Sequence, residues 1–448
     1  MFPSPPALSR RDWLRLSVAG GLSCAASPWL ATLAQAAAGD PARKRSCILL
    51  WMSGGPSQTD TFDPKPGHAN GGEFKAIETS VPGIQICEHL PGVAKLMEHM
   101  AIVRSMTTKE GDHGRATYLV RTGYLQTGPI QYPAMGSLLS KELGTDGAEL
   151  PNYVSIGPYR YLSPAAYGPG FLGPKFAPLV VGVGNNFGQA GAYDDSALRV
   201  RNLNLPDGVS LDQADARLGL LDFLEDDFLA TRGGHTANSH RAAYKAAVRM
   251  MRSKAVEAFQ LDKEADELRD KYGRNPFGQG CLLARRLVEQ GVPFVEVSLN
   301  GVANQQVFGW DTHAQNFPGV KALCGVLDPA WSTLVSDLKD RGLLDSTLIV
   351  WMGEFGRTPK INPSAGRDHF PDAWSAVLCG GGIRGGQVIG RTSDDAMKVE
   401  ERPVKVPDMM ATICQALGVD PLNQNMSNVG RPIRLADPEA NPISEVLS

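Results

Sequence analysis

The sequence predicts an α/β fold in which a doubly wound, mostly parallel sheet carries helices on both faces. Short apolar runs alternate along the chain with segments of helical periodicity, which is typical of a sheet whose strands are joined by helices. The first run, at residues 47–52, is continuously apolar, as in a parallel strand that is buried on both faces. The 49 glycines and 32 prolines predict many turns and long loops around that sheet.

The predicted elements follow in chain order. Strands are predicted at residues 47–52, 101–104, 293–299, 347–352 and 374–379. Helices are predicted at residues 88–100, 240–272, 279–290, 323–341 and 408–417. Gly273, Gly291 and Gly418 supply C-terminal stops for three of these helices, and Pro329 is expected to kink or restart its helix. Residues 150–240 show few clear periods and are predicted to include a loop-rich insertion.

The first 36 residues are interpreted as a twin-arginine export signal. Residues 9–14 read Ser-Arg-Arg-Asp-Trp-Leu, an Ala/Gly-rich apolar stretch follows to about residue 33, and residues 34–36 offer a small-x-small cleavage site. A transmembrane anchor is the alternative, but glycine, serine and proline leave the stretch only mildly apolar. We therefore expect one domain over residues 37–448, periplasmic or extracellular, with no membrane span after cleavage.

Composition excludes several classes of protein. Lysine and arginine number 44 against 47 aspartates and glutamates, so the net charge of −3 indicates no nucleic-acid partner. A mean hydropathy of −0.18 excludes a multi-span membrane protein. Seven cysteines in 448 residues are too sparse for a disulfide framework.

Polar residues follow several predicted strands, at the sheet edge where ligands bind in such folds. Ser53 directly follows the first strand and is either a nucleophile candidate or part of a capped turn. After the second strand, His113 could act as a nucleophile, a base or a metal ligand. Arg115 could hold an anion through two hydrogen bonds. The alternative for this segment is a set of hydrogen bonds within the loop.

The segment after the strand at residues 347–352 carries Glu354 and Arg357. A carboxylate at the end of a buried strand is costly to leave unpaired, so a cation or an arginine is expected beside Glu354. Arg357 is either that partner or the group that holds a phosphate or sulfate.

Carboxylates and imidazoles occur together on two further loops, at residues 311–313 and 368–369. Side chains of these types bind divalent cations such as Zn²⁺, Ca²⁺ or Mg²⁺. Because the loops follow strands of one sheet, we predict that five side chains converge on one metal site: Asp311, His313, Glu354, Asp368 and His369.

Long segments of the sequence resemble the domain of unknown function 1501 family, an exported family placed in the alkaline phosphatase/sulfatase superfamily. The likeness runs from about Lys44 to the C-terminus. It is carried by residues 51–66, 277–287, 310–313, 352–359 and 366–369. The resemblance implies one or two metal ions beyond the carboxyl edge of a doubly wound sheet, and transfer of phosphate or sulfate.

Carried over residue by residue, the resemblance implies a metal-ligand set of Asp311, His313, His369 and Glu354. Phe355 stands where a histidine ligand would be, and Ser53 where an aspartate ligand would be. The resemblance places the superfamily's nucleophile near His113. It therefore implies no serine, threonine or cysteine nucleophile at that position. These departures favour one metal ion over two.

The predicted function is a metal-dependent hydrolase of phosphate or sulfate esters, acting outside the cytoplasm on an anionic ester or a sulfated or phosphorylated polysaccharide. The alternative is a catalytically degenerate member of the family that binds a surface glycan or a partner protein.

Overall fold

A computed structural model describes residues 45–182, 195–200, 202–203, 205–232, 235–303 and 308–448. The predicted export signal lies outside these ranges. The strands are β1 Ser46–Met52, β2 Ala76–Glu78, β3 Gln85–Cys87, β4 Met100–Thr107, β5 Tyr153–Ile156, β6 Leu179–Val181, β7 Phe294–Leu299, β8 Thr347–Met352, β9 Gly356–Arg357, β10 His369–Phe370, β11 Trp374–Gly380, β12 Gln387–Ile389, β13 Arg391–Thr392, β14 Val399–Glu401, β15 Val404–Lys405, β16 Gln424–Met426 and β17 Pro432–Arg434.

Nine α-helices are found in the described residues, and they range from 4 to 25 residues in length. They are α1 Pro91–Ala94, α2 His113–Thr122, α3 Met135–Leu143, α4 Leu211–Arg232, α5 His235–Arg252, α6 Asp266–Tyr272, α7 Pro276–Glu289, α8 Asn316–Asp340 and α9 Val406–Ala416. No helix in the described ranges combines the length and the apolar character that crossing a membrane requires.

A nine-stranded sheet forms the centre of the fold, with the order β12-β4-β11-β8-β1-β7-β5-β6 and β15 also paired with β4. Strand β1 pairs in parallel with β7 on one side and with β8 on the other. Strand β11 runs antiparallel to both of its neighbours, β4 and β8. The remaining pairs in this sheet are parallel, which confirms the predicted mostly parallel architecture.

Both faces of the sheet are covered, as the continuous apolar strands predict. Along β1, Ile48 and Leu50 pack into a core that also contains buried side chains of α7 and α8. Cys47 and Leu49 point to the opposite face and pack with side chains of α3 and α9. Because side chains alternate along a strand, β1, which is covered on both faces, is apolar at every position from Cys47 to Met52.

The predicted strands are confirmed, but two helix predictions are wrong in extent. The segment 88–100 forms only the one-turn α1 and a short 3₁₀ turn before β4 begins. The segment 240–272 is divided into α5, two 3₁₀ turns and α6. Pro329 lies inside α8, which continues through it as a single helix instead of restarting.

The described parts of residues 150–240 contain regular elements that the composition does not indicate. They contribute β5 and β6 to the central sheet and contain α4. Residues 157–178 between the two strands do form a chain of turns. Strands β5 and β6 have too few residues to show a hydrophobic period in the sequence. Helix α4 buries no side chain, and its sequence accordingly lacks a marked apolar face.

Candidate metal centre

Four loops meet where the parallel strands end. Because β1, β5, β7 and β8 run in parallel, their carboxyl ends lie at one edge of the sheet. Helix α2 begins beyond the same edge with His113, and Asp112 caps it by accepting a hydrogen bond from the Arg115 amide at 3.0 Å. The Asp112-His113 pair is therefore a helix cap followed by a site residue.

Asp311 is the centre of a cluster of three histidines. Its Oδ1 lies 3.2 Å from His113 Nε2, 3.1 Å from His313 Nε2 and 3.3 Å from His369 Nε2. The Nε2 atoms of His313 and His369 are 3.0 Å apart. The predicted convergence of Asp311, His313 and His369 is present in the structure, and His113 joins them.

The other ring nitrogen of each histidine faces an acceptor at 2.7 Å. His113 Nδ1 meets Glu354 Oε1, and His313 Nδ1 meets Asp368 Oδ1. His369 Nδ1 donates to the backbone carbonyl of Gly111. Such partners fix the orientation of each ring, so that all three Nε2 atoms are directed at the region around Asp311.

Two buried polar atoms in this cluster make no hydrogen bond within the described residues: Glu354 Oε2 and His113 Nε2. The Nε2 atom is near Asp311, but the contact lacks hydrogen-bond geometry. Buried polar atoms are nearly always paired in proteins, so the unpaired His113 Nε2 marks a place where a cation would complete the coordination.

The electrostatics of the cluster favour positive charge. Burial by itself lowers the pKa of His113, but the nearby carboxylates of Asp311 and Glu354 outweigh it and raise the pKa to about 9. Burial would raise the pKa of Asp311, yet the close contacts with His113 and His369 and the charge of Arg357 hold that pKa well below its usual range.

The donor set fits a divalent metal ion. Ligand atoms of His113, Asp311 and His369 all lie within 4.8 Å of one another, and His313 adds a further imidazole. Imidazole nitrogens with one carboxylate oxygen are the ligands that Zn²⁺ and similar borderline cations take, whereas Ca²⁺ and Mg²⁺ prefer oxygen.

Two predicted ligands occupy supporting positions. Asp368 is half exposed and contacts the cluster through His313 Nδ1. Glu354 is 1% exposed, and its Oε1 accepts from the Gly54 amide at 2.9 Å as well as facing His113. Gly54 has a φ of +104°, and a Cβ there would lie 2.5 Å from the Asp311 nitrogen, so only glycine allows this approach.

Arg357 forms an ion pair with Asp311 and is not placed to bind an anionic substrate. The side chain is fully buried, and Nη2 contacts Asp311 Oδ1 and the carbonyl of Gly54. Its Nε donates to Gly55 O at 3.1 Å, and Nη1 donates to Arg367 O at 3.3 Å. With these donors committed, the group holds Asp311 in place and offers no open fork for a phosphate or sulfate.

Ser53 and Arg115 lie outside the cluster. The Ser53 hydroxyl donates to Asn300 Oδ1 at 2.7 Å. The Arg115 side chain is 67% exposed and pairs with Glu110 at 2.7 Å. Arg115 follows His113 by two positions on α2, and residues so spaced on a helix point in different directions. The structure therefore does not bring either predicted catalytic side chain into the histidine cluster.

Phe355 fills the position where the resemblance would place a histidine ligand. Its buried ring centroid lies 4.9 Å from that of His113 and 4.7 Å from that of His369. An apolar ring supplies no ligand, so this side of the cluster supports the two imidazoles by packing alone.

A buried ion pair that the sequence reading missed connects the two ligand loops. Arg367 and Asp60 are both fully buried and joined at 2.7 Å and 3.0 Å. The Arg367 amide donates to Thr312 O at 2.9 Å, and Asn316 Nδ2 donates to Asp60 at 2.8 Å. The pair thereby positions the residues next to His313 and His369. Two features of the sequence could have indicated this pair. Asp60 follows the first strand, and Arg367 stands beside the predicted ligand Asp368.

Gly366→Ala is expected to disturb both ligand loops. A Cβ at Gly366 would lie 1.9 Å from His313 O and 2.6 Å from Ala314 N, which are backbone atoms that cannot rotate away. We expect the free energy of unfolding to fall by about 1–3 kcal/mol, as for other overpacked sites, together with loss of bound metal. Denaturant unfolding and metal analysis measure the two effects.

Gly325→Ala is the matched control, since a Cβ there meets nothing within 4 Å and Gly325 lies in α8. Its stability should stay unchanged or rise by up to about 1 kcal/mol. Equal stability and metal content in the two variants would contradict the close packing of the loops.

The structure is that of an α/β protein with a mostly parallel sheet. Its candidate metal centre, a cluster of histidines and carboxylates, lies beyond the carboxyl edge of that sheet. The chain belongs to the family described as "Protein of unknown function (DUF1501)", whose model matches residues 44–447. No curated protein matches the sequence.

Among solved structures, the chain is similar to the PsFucS1 sulfatase from Pseudoalteromonas sp., with 15% identity, coverage of 88% of this chain and 72% of that one, and a TM-score of 0.37. It is similar to an alkaline phosphatase superfamily protein from Vibrio parahaemolyticus, with 12% identity, coverage of 87% and 74%, and a TM-score of 0.37. It is also similar to the phosphonate monoester hydrolase SpPMH from Silicibacter pomeroyi, with 14% identity, coverage of 84% and 73%, and a TM-score of 0.31.

Proposed function

We propose that this chain is a metal-dependent hydrolase of phosphate or sulfate esters that works outside the cytoplasm with a single divalent cation. One observation carries the proposal: three histidine Nε2 atoms lie within 3.3 Å of Asp311 Oδ1. The twin-arginine pattern in the first 36 residues supports the export.

Four side chains would hold the cation: His113, Asp311, His313 and His369. When bound, a divalent cation supplies polarisation of the ester oxygen and a lowered pKa for a water molecule. The chain keeps these ligands ready through acceptors at the Nδ1 atoms and through Arg357 behind Asp311. Preorganised ligands bind without a reorganisation cost, and their partners raise imidazole basicity.

A single cation is favoured over two by the side chains in the neighbouring positions. Phe355 packs an apolar ring against His113 and His369, and the Ser53 hydroxyl is engaged by Asn300. Neither residue is placed to bind a second ion in the way that a histidine and an aspartate would.

The substrate has access from the side of His313. The His313 side chain is 44% exposed and Asp368 is 54% exposed, whereas Glu354 on the opposite side is 1% exposed. An anionic ester approaching from solvent would therefore reach the imidazole cluster first. The proposed substrate is such an ester, carried by a sulfated or phosphorylated polysaccharide.

Metal removal tests the proposal on protein purified through its native export route. We expect about one tightly bound divalent ion per chain, with Zn²⁺ favoured by the imidazoles. Hydrolysis of an aryl phosphate or aryl sulfate should disappear on chelation and return when the same ion is added. Protein with no bound ion and no turnover at high enzyme concentration would contradict the proposal, and would favour a family member that binds without hydrolysing.

A further inference from the structure

A row of aromatic rings leads from the metal centre to the surface. The Phe308 ring centroid is 6.1 Å from that of His113, and the Tyr159 centroid is 4.3 Å from that of Phe308. Tyr161 continues the row at 6.2 Å from Tyr159 and is 79% exposed. We name Phe308, Tyr159 and Tyr161 the aromatic shelf.

The shelf is attached to the strand ends that form the site. Strand β5 ends at Ile156, and Gly157 turns the chain with a φ of +61°. Asn300, which follows β7, donates to Gly157 O at 2.6 Å and accepts from the Ser53 hydroxyl. Ser53 thereby acts through Asn300 as an anchor of the loop that carries the tyrosines.

The same loop lies against the first turn of α2. A Cβ built on Gly114 would come within 2.9 Å of Leu162 O, so this carbonyl packs directly beside the residue after His113. The shelf and the imidazole cluster are therefore parts of one continuous surface, joined at His113.

The shelf also carries positive charge. Arg160, between the two tyrosines, is exposed and forms no ion pair with any residue in the described ranges. Its guanidinium can pair with a sulfate or phosphate through two hydrogen bonds. The shelf therefore combines the flat apolar faces of aromatic rings with tyrosine hydroxyls and the positive charge of Arg160. An ordinary apolar patch lacks these polar and charged groups.

We propose that the aromatic shelf binds the sugar rings of an anionic polysaccharide and presents its ester group to the metal centre. Aromatic side chains offer an apolar face with a polar tip, which matches a sugar ring with C–H groups on its faces and hydroxyls around its rim. Arg160 would pair with an ester group on a neighbouring sugar. The inference rests on the proposed function for the anionic ester, and deepens it by naming the side chains that would hold the glycan chain.

Retardation of the mature protein in native gels tests the shelf without requiring turnover. The gels contain fucoidan, carrageenan, dextran sulfate, a phosphorylated cell-wall polymer or neutral dextran. We expect at least one anionic polymer to retard the protein more than neutral dextran does. Tyr161→Ala should weaken that binding about tenfold, the value of one aromatic contact, while Tyr161→Phe should retain it.

Tyr244→Ala is the control, since Tyr244 is also an exposed tyrosine, at 43%, but lies on α5. It should be retarded like the unchanged protein. The inference is overturned if no anionic polymer retards the protein, if neutral dextran does so equally, or if Tyr161→Ala behaves like the control. The protein could also be retarded in a way that depends on Tyr161 while it holds no metal and shows no turnover. That result would contradict the hydrolase proposal and support glycan binding by the aromatic shelf.

Discussion

His369→Ala is expected to lower kcat/KM for an aryl ester by about a thousandfold or more and to remove most of the bound metal. The substitution deletes one of the three imidazoles around Asp311 and leaves a gap beside Phe355. A thousandfold loss corresponds to roughly 4 kcal/mol of transition-state stabilisation, which is within the range that a metal ion supplies. Steady-state kinetics and metal analysis on the same preparation measure both effects.

His240→Ala provides the control for this prediction. His240 is an exposed histidine on α5, and its loss should leave metal content and kinetics unchanged. A His369→Ala protein that retains the ion and its rate would show that the imidazole cluster has another role. The thermal unfolding of both variants should also be recorded, because a folded but metal-free variant separates ligand loss from unfolding.

Arg367→Met is expected to reduce the free energy of unfolding by about 3–5 kcal/mol. The substitution leaves Asp60, a fully buried carboxylate, without its charged partner. Breaking one side of a buried pair is costly because the remaining charge is neither solvated nor paired. Denaturant unfolding of the mature protein measures the change.

Two further variants show whether the cost comes from the unpaired charge. Arg391→Met breaks a half-exposed pair with Glu401 and should cost less than about 1 kcal/mol. The double variant Asp60→Leu with Arg367→Met removes both charges and should recover part of the stability. A double variant as unstable as Arg367→Met, or a single variant as stable as Arg391→Met, would contradict the explanation.

The fold was predictable wherever the local signal was strong. Strands β1 and β8 are almost wholly apolar because each is buried on both faces, and the predicted positions of β1, β7 and β8 agree with the structure. The short β5 and β6 were not predictable, since three or four residues show no period and their pairing partner lies far along the chain. The orientation of β11 was not predictable either, because antiparallel pairing is decided by the whole sheet.

The candidate site was predictable in its residue types and less so in their arrangement. Asp311, His313 and His369 come together as expected, since each lies beyond the carboxyl end of a parallel strand or beside one. Arg357 was predicted either to pair with Glu354 or to hold an anion, and it pairs with Asp311 instead. Ser53 was predicted either as a nucleophile candidate or as part of a capped turn, and its hydroxyl donates to Asn300. Burial and committed hydrogen bonds decide such roles, and neither can be seen in a single sequence.

The sequence by itself determined the α/β class, the strand ends and the set of ligand-type side chains that follow them. Only the tertiary structure decided which ring nitrogen of each histidine faces Asp311, because that depends on an acceptor from a distant segment. Glu354, 241 positions along the chain from His113, contacts Nδ1 of that ring, and Gly111 accepts from His369 across 258 positions. Local propensity contains no information about these partners, since they meet only when the sheet has formed.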